Sequence, residues 1–202
     1  ETFVSAGFPP ALKGEHLPSS LWNDKTLHLP EALVDAHRKQ LLANAWMEQY
    51  LATSSSSGAV GGASTTEAET HFITRFLNSA VRAQFVCSDP TNSQPDIRDM
   101  VLDQLAEGRI FILDLAAGSG AGTLAILSTI CELRNTECVP TLPLNVHIFG
   151  IDYSSRALAY IRVIALKCHL FALEAISAQF DMPLKFTTQE NRSQSVTYAS
   201  IL

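Results

Sequence analysis

Glycines and acids cluster around one short stretch of the chain in a pattern that could hold a small polar ligand. The segment Ile112–Leu127 reads ILDLAAGSGAGTLAIL, so Asp114 lies shortly before Gly118 and Gly120. Glycine lets a ligand approach the backbone because no Cβ intervenes. A helix that begins after the glycines offers free N–H groups and a partial positive charge. The segment therefore predicts a ligand-binding turn between a strand and a helix.

A second acid closes the next apolar run, VHIFGID, which ends at Asp152. This run and the apolar run before Asp114, Arg109–Leu113, both predict buried parallel strands, because their middle positions are apolar rather than alternating. The carboxyl ends of parallel strands meet at one edge of a sheet, so we expect Asp152 beside the glycine turn. A carboxylate at this place can accept hydrogen bonds from both hydroxyls of a ribose, which points to an adenosine-type ligand.

The elements around these residues predict an α/β fold with a doubly wound, mainly parallel sheet. They are strand Arg109–Leu113, helix Thr123–Arg134, strand VHIFGID, a long helix capped by Ser154 or Ser155, strand PLKFTTQ, and a fourth strand beginning in VTYASIL. Upstream we expect an N-terminal arm over residues 1–52, which is irregular to residue 29 and then forms one helix that begins at Pro30. A flexible Ser/Gly-rich linker follows over residues 53–68. Residues 69–108 are expected to form a helical region that packs on the sheet. That helical region holds a helix over about Thr66–Val86, capped by Thr65 or Thr66, and a shorter helix closed by Gly108.

The glycine spacing argues against a dinucleotide site. The turn reads G-S-G-A-G and lacks the third glycine of G-x-G-x-x-G, which seats a pyrophosphate on the helix. An acid at Asp114 would also repel a pyrophosphate, whereas it suits a sulfonium or an amino group. A nucleotide-dependent oxidoreductase is therefore the least favoured function.

These two motifs together resemble the class I S-adenosylmethionine-dependent methyltransferases. Their first motif is acid-x-Gly-x-Gly-x-Gly, which Asp114, Gly118 and Gly120 match, with Ala116 in place of the first glycine. Asp152 matches the acid that closes their second strand. The variant D-x-A-x-G-S-G and the phrase FGIDYSSRAL are similar to amino-group methyltransferases that act on adenine in DNA. The resemblance covers about residues 109–190.

The resemblance implies a Rossmann-like fold, S-adenosylmethionine as cofactor, and methyl transfer to an amino group, with nucleic acid as a candidate acceptor. It implies that the glycines pass under the methionine part, that Asp114 lies near the amino group, that Asp152 binds the ribose, that Tyr153 lies against the adenine, and that Glu190 is the acid after the third strand. It assigns no catalytic residue and no metal. The implied cofactor-binding residues are Asp114, Ala116, Gly118, Ser119, Gly120, Asp152, Tyr153 and Glu190.

The predicted sheet is incomplete. A full sheet of this type needs roughly 150 residues beyond its first strand at ordinary element and loop lengths, whereas only about 90 follow Leu115. No Asn/Asp-Pro-Pro-aromatic segment, which orients the target amino group in adenine methyltransferases, follows the first motif. Residues 109–202 are thus expected to be a cofactor-binding half. Either the polypeptide continues beyond Leu202 or another chain completes the sheet.

Composition and charge disfavour several other classes of function. The formal net charge of −6 disfavours holding a polyanion by charge alone. No two of the four cysteines have the spacing of a zinc or redox motif, which favours free thiols in a reducing, cytoplasmic setting. No apolar run reaches the length of a membrane span, and no secretory signal is visible. A non-catalytic scaffold with a methyltransferase-like fold remains the main alternative to the enzyme.

Overall fold

The chain is a mixed α/β protein in which helices cover one face of a mainly parallel sheet. The computed structural model describes residues 17–53, 64–106, 109–139, 144–152, 154–161, 163–164, 180–181, 184–188 and 193–196. The elements are β1 (Trp22–Asn23), β2 (Thr26–Leu27), α1 (Glu31–Ala43), α2 (Met47–Ala52), α3 (Thr65–Ser88), α4 (Pro95–Ala106), β3 (Arg109–Leu115), α5 (Ala121–Asn135), β4 (Leu144–Asp152), β5 (Phe180–Asp181), β6 (Leu184–Thr188) and β7 (Ser193–Val196). A further helix, α6, covers residues 155–161.

The described part of the N-terminal arm contains a small hairpin, so its prediction as wholly irregular is wrong. β1 and β2 pair antiparallel, and the two residues between them, Asp24 and Lys25, have φ angles of 48° and 62°. Two consecutive left-handed residues are the geometry of a tight hairpin turn, which glycine usually marks in a sequence. Without a glycine the pattern gave no sign of the turn.

The single helix predicted from Pro30 is in fact two helices. Ala45, with φ 57°, ends α1, and its N–H donates to the carbonyl of Leu42 while the N–H of Trp46 donates to that of Leu41. This is the hydrogen-bond pattern of a left-handed helix end, in which glycine is the usual residue. An alanine at this position hides the break from sequence reasoning.

Helix α3 begins earlier than predicted. Its N-cap is Ser64, not Thr65 or Thr66: the Ser64 side chain accepts from the N–H of Glu67, whose carboxylate accepts from the N–H of Ser64. This reciprocal capping box satisfies two donors that a helix start otherwise leaves free. The last residues assigned to the linker, 65–68, are therefore helical. Residues 54–63 and the proposed cap Gly108 lie outside the described part of the chain.

A buried histidine joins α1 to α3. The His37 ring is 1% exposed and stacks on Phe76 with ring centroids 5.0 Å apart. Its Nε2 lies 3.4 Å from the carbonyl oxygen of Phe72, and burial lowers the pKa of His37 to about 4. The ring is therefore neutral at pH 7 and acts as part of the core that holds α3 in place.

The sheet has the strand order β3-β4-β6-β7, with β5 also pairing with β4. β3, β4 and β6 are parallel, and the register sets Asp114 beside Gly150 and Leu115 beside Ile151. This confirms a mainly parallel sheet with helical crossovers. The last strand departs from the prediction, because β7 spans Ser193–Val196 and runs antiparallel to β6.

Only one face of the sheet is covered by the described residues. Val146 and Ile148 are buried in the core with side chains of α1, α3, α5 and α6. The alternate side chains are exposed by one third to two thirds: Phe111, Leu113, Leu115, Phe149 and Ile151. The expectation that β3 and β4 are buried on both faces is thus wrong for the described chain. Both crossovers run in the same direction along the sheet, so right-handed connections place α5 and α6 on the same face.

We predict that stability falls as the pH drops from 6.5 to 4. The unfolded chain binds a proton at His37 below about pH 6.5, whereas the folded chain resists this until about pH 4. The loss should approach about 3 kcal/mol in the free energy of unfolding. Urea unfolding across this range measures it. His37→Gln should lack this loss of stability at low pH, whereas His28→Gln, at an exposed histidine, should retain it. The same dependence of stability on pH in both variants would contradict the role of His37.

Candidate functional site

The glycine turn between β3 and α5 is tied to the neighbouring strand. The N–H of Ala117 donates to the carbonyl of Ile151 over 3.0 Å, and the N–H of Gly120 donates to the carbonyl of Ala117 over 2.8 Å. Three alternate residues are left-handed: Ala116 with φ 58°, Gly118 with φ 53° and Gly120 with φ 76°. The turn therefore coils tightly at the carboxyl edge of the sheet, as the motif predicts.

Ala116 occupies the position where the methyltransferase motif has its first glycine. Its φ of 58° explains a glycine preference there, because a Cβ in the left-handed region costs about 1–2 kcal/mol. The side chain itself is exposed, so the space around it accepts the methyl group. The departure from the motif therefore costs backbone strain and leaves the path of the turn intact.

Asp152 lies directly against the turn. Its Oδ2 accepts from the N–H of Gly118 over 2.9 Å, and its Oδ1 accepts from the N–H of Ser154 over 2.8 Å. The carboxylate is 8% exposed. The two features that the sequence places on separate elements are thus in direct contact. Each oxygen holds one backbone donor, and a carboxylate has about four acceptor sites, so capacity for further donors remains.

Ser154 also begins the helix that follows. Its Oγ accepts from the N–H of Ala157 over 3.2 Å, which makes it the cap of α6. Ser154, one of the two predicted caps, therefore links the Asp152 carboxylate to the start of α6.

Asp114 is held from the other side of the turn. Thr123, in the first turn of α5 and 3% exposed, donates its hydroxyl hydrogen bond to Oδ2 of Asp114. Asp114 itself is half-buried. Two carboxylates, Asp114 and Asp152, therefore flank the same turn, and their charge disfavours an anionic group and favours a cation or hydroxyl donors.

The two glycines of the turn meet different surroundings. A Cβ on Gly120 would lie 2.6 Å from Cγ1 and 2.8 Å from Cγ2 of Ile161, so α6 packs tightly on this residue. Among the described residues other than its two chain neighbours, a Cβ on Gly118 would meet one atom within 4 Å, Cε1 of His71 at 3.9 Å. Gly120 is thus needed for packing, and the space in front of Gly118 is where a ligand can reach the backbone.

Ser119 lies between these glycines and carries a buried hydroxyl. The residue is 3% exposed, and its Oγ has no hydrogen-bond partner among the residues that the structure describes. The adjoining start of α5 has Gly120 as N-cap, without a side-chain cap. A buried unpaired hydroxyl is costly unless a further group satisfies it. The start of α5 and this hydroxyl therefore suit a polar ligand.

His71, on α3, is a residue of this site that sequence reasoning missed. It is half-buried, and burial lowers its pKa below the ordinary value, with Arg75 adding to the shift and Asp152 opposing it. Its position before Phe72 in a helical pattern gives no signal, because the sequence does not say which side of α3 meets the turn.

The remaining expected site residues are Tyr153 and Glu190, and both lie outside the described part of the chain. Within the described ranges no group of three or more His, Cys, Asp or Glu residues is arranged to hold a metal ion. In the same ranges no helix combines the length and apolarity needed to cross a bilayer.

Comparisons with known proteins add no assignment. No protein-family model, no curated protein and no solved structure matches the chain. The resemblance to the class I methyltransferases therefore rests on the two motifs alone and stays a prediction.

We predict that Gly120→Ala lowers the free energy of unfolding by about 3 kcal/mol, because the new Cβ collides with Ile161 and the backbone is left-handed. Gly122→Ala is the matched control, since its Cβ would lie 3.8 Å from the Cβ of Ala83, an ordinary contact. That variant should be neutral or more stable by up to about 1 kcal/mol. Urea denaturation measures both.

Shortening Ile161 in the Gly120→Ala background tests the cause of this effect. The collision is with Cγ1 and Cγ2 of Ile161, so Ile161→Ala should cost less in that background than in the wild type. Strictly additive losses would show that α6 does not pack on the turn.

Proposed function

We propose that this chain carries the cofactor-binding half of an S-adenosylmethionine-dependent methyltransferase that acts on an amino group. The observation that supports it most is the hydrogen bond from the N–H of Gly118 to Asp152, because it joins the two motifs on which the resemblance rests. Nucleic acid is the acceptor class that the motif variant favours. The formal net charge of −6 does not favour this acceptor.

The residues at the turn fit the groups of this cofactor. Among the described residues, Gly118 has an open side and the Ser119 hydroxyl has no hydrogen-bond partner, so both can contact a ligand. The two carboxylates add negative charge. A sulfonium and an amino group suit such surroundings, whereas a pyrophosphate does not. In the proposal Asp114 faces the amino group and Asp152 the ribose, while Tyr153 and Glu190 complete the site.

The cofactor supplies an electrophilic methyl group on a sulfonium sulfur. The task left to this chain is to bind and orient the cofactor and to keep water away. Thr123 fixes the Asp114 carboxylate, and the backbone donors of Gly118 and Ser154 fix that of Asp152. Both acids are therefore held in place before a ligand arrives, which limits the entropy lost on binding.

Two other functions remain as alternatives. A non-catalytic scaffold with this fold is favoured by the packing of Ile161 on Gly120, which gives that glycine a structural reason. A nucleotide-dependent oxidoreductase is disfavoured by Asp114, whose charge would oppose a pyrophosphate at the start of α5.

Calorimetry with S-adenosylhomocysteine and with NAD separates these functions. Micromolar binding of the first alone is expected for the methyltransferase half, binding of NAD alone would indicate the oxidoreductase, and binding of neither would indicate the scaffold. Asp114→Asn keeps an acceptor for Thr123 and removes the charge. It should weaken S-adenosylhomocysteine binding at least about tenfold, or about 1.4 kcal/mol. Asp103→Asn, at an exposed acid of α4, is the control and should bind as the wild type does.

We propose also that the sheet face at Leu113, Leu115 and Ile151 binds a strand and an apolar helix of a second polypeptide. β3 is an edge strand of the described sheet, and its exposed face adjoins that of β4. Leu113, Leu115 and Ile151 are 62%, 66% and 39% exposed on this face, and an exposed apolar patch of this kind marks an interaction site. The outer edge of β3 is also a template for pairing with another strand, which supports a strand as part of the occupant.

A photoreactive residue in place of Leu113, which is 62% exposed, tests this docking surface in the native cells. The expected product is a covalent adduct with one second polypeptide. The same residue in place of Leu51, 74% exposed on α2, is the control and should not give that adduct. Crosslinks from position 113 to residues of the same polypeptide beyond Leu202 would show instead that a continuation of the chain completes the sheet. Absence of any adduct at position 113 would refute the proposal.

A cytoplasmic location is likewise a proposal. Cys87 and Cys131 form no disulfide bond within the described part of the chain, as is usual in a reducing compartment. Burial raises the pKa of Cys131 to about 12, so very little of this thiol is present as the reactive thiolate at neutral pH.

A further inference from the structure

The His71 imidazole lies in front of Gly118, where the described residues leave space beside the turn. Its Cε1 is 3.9 Å from the place that a Cβ on Gly118 would take, and apart from Gly118 and its two chain neighbours no other described residue has a heavy atom within 4 Å of that place. A ligand that reaches the Gly118 backbone from this side must therefore contact the imidazole or displace it.

Packing at the start of α3 holds this histidine in position. Glu69, on the same helix, accepts from Nη2 of Arg156 over 3.0 Å and from the hydroxyl of Tyr160 over 3.4 Å. Phe72 stacks on the Tyr160 ring with centroids 4.7 Å apart. These contacts join α3 to α6, which itself packs on the turn. The imidazole is thus presented to the site by a rigid support, as a residue that contacts a ligand needs.

The charge of His71 depends on few neighbours. Burial lowers its pKa, the Arg75 guanidinium on the same helix lowers it further, and Asp152 at the end of β4 raises it. The shift is downward overall, so the imidazole is neutral at pH 7 and becomes cationic only in more acidic solution.

We propose that His71 contacts the ligand at Gly118 and determines the selectivity of the site between S-adenosylmethionine and S-adenosylhomocysteine. This inference rests on the proposed function. The first ligand carries a sulfonium and hence one more positive charge than the second. A neutral imidazole does not repel a neighbouring sulfonium, whereas a protonated imidazole does. The repulsion between two positive charges a few ångströms apart is strong at a half-buried site. The thioether product, lacking that charge, is repelled much less.

Calorimetric titration of both ligands between pH 8 and pH 4.5 tests the proposal. The ratio of the dissociation constant of S-adenosylmethionine to that of S-adenosylhomocysteine should rise about tenfold or more as the pH falls. His71→Gln, which keeps a polar side chain without the titration, should give a flat ratio. His28→Gln removes an exposed histidine and should leave the rise unchanged.

A second measurement does not depend on any variant. The NMR resonance of the His71 Cε1 proton reports its titration in the wild type, and its pKa should be lower with S-adenosylmethionine bound than with S-adenosylhomocysteine. Equal pKa values in the two complexes, or a pH-dependent ratio that persists in His71→Gln, would overturn this proposal alone. Failure of the wild type to bind either ligand would overturn the proposed function, and this inference with it.

Discussion

The carboxylate of Asp152 holds together the three segments that form the candidate site. One oxygen accepts from the turn at Gly118 and the other from Ser154 at the start of α6. Hydrogen bonds to a charged group contribute about 1.5–3 kcal/mol each, and their loss here would leave backbone donors without partners in a largely buried place. The end of β4, the glycine turn and α6 are therefore one unit. A ligand that also binds this carboxylate joins contacts that already exist.

The wall of the site opposite the turn comes from outside the sheet. α3 carries His71, and an aromatic cluster built from His37, Phe72, Phe76 and Tyr160 fixes that helix between α1 and α6. Aromatic pairs of this kind add to the stabilisation from burial alone. The helical region thus positions a functional side chain as well as covering the sheet. Any protonation of the core histidine at low pH would loosen the same support.

In the described part of the chain the helices lie on one face of the sheet because of the direction in which the strands are added. From β3 through β4 to β6 each strand lies beside the last on the same side, so right-handed crossovers keep their helices on one face. Parallel sheets are normally covered on both faces. The sequence of β3 matches that expectation, because it is apolar at four successive positions from Ile110 to Leu113 and again at Leu115. The side chains of β3 on the exposed face are as apolar as those of a strand covered on both faces. The sequence alone therefore predicts that β3 is buried.

The local sequence pattern predicts the order of the elements around the site and the contact of Asp152 with the turn. An acid at the end of a strand must lie near the turn that follows the neighbouring parallel strand, because both are at the same edge of the sheet. The local pattern was not enough where an ordinary residue adopts a special conformation, as Ala45 does at the end of α1 and as Asp24 and Lys25 do in the hairpin. It also could not find the contact of Ile161 with Gly120 or the place of His71. These depend on how separate helices pack against the turn, and such contacts between distant parts of a chain leave no periodic trace in its residues.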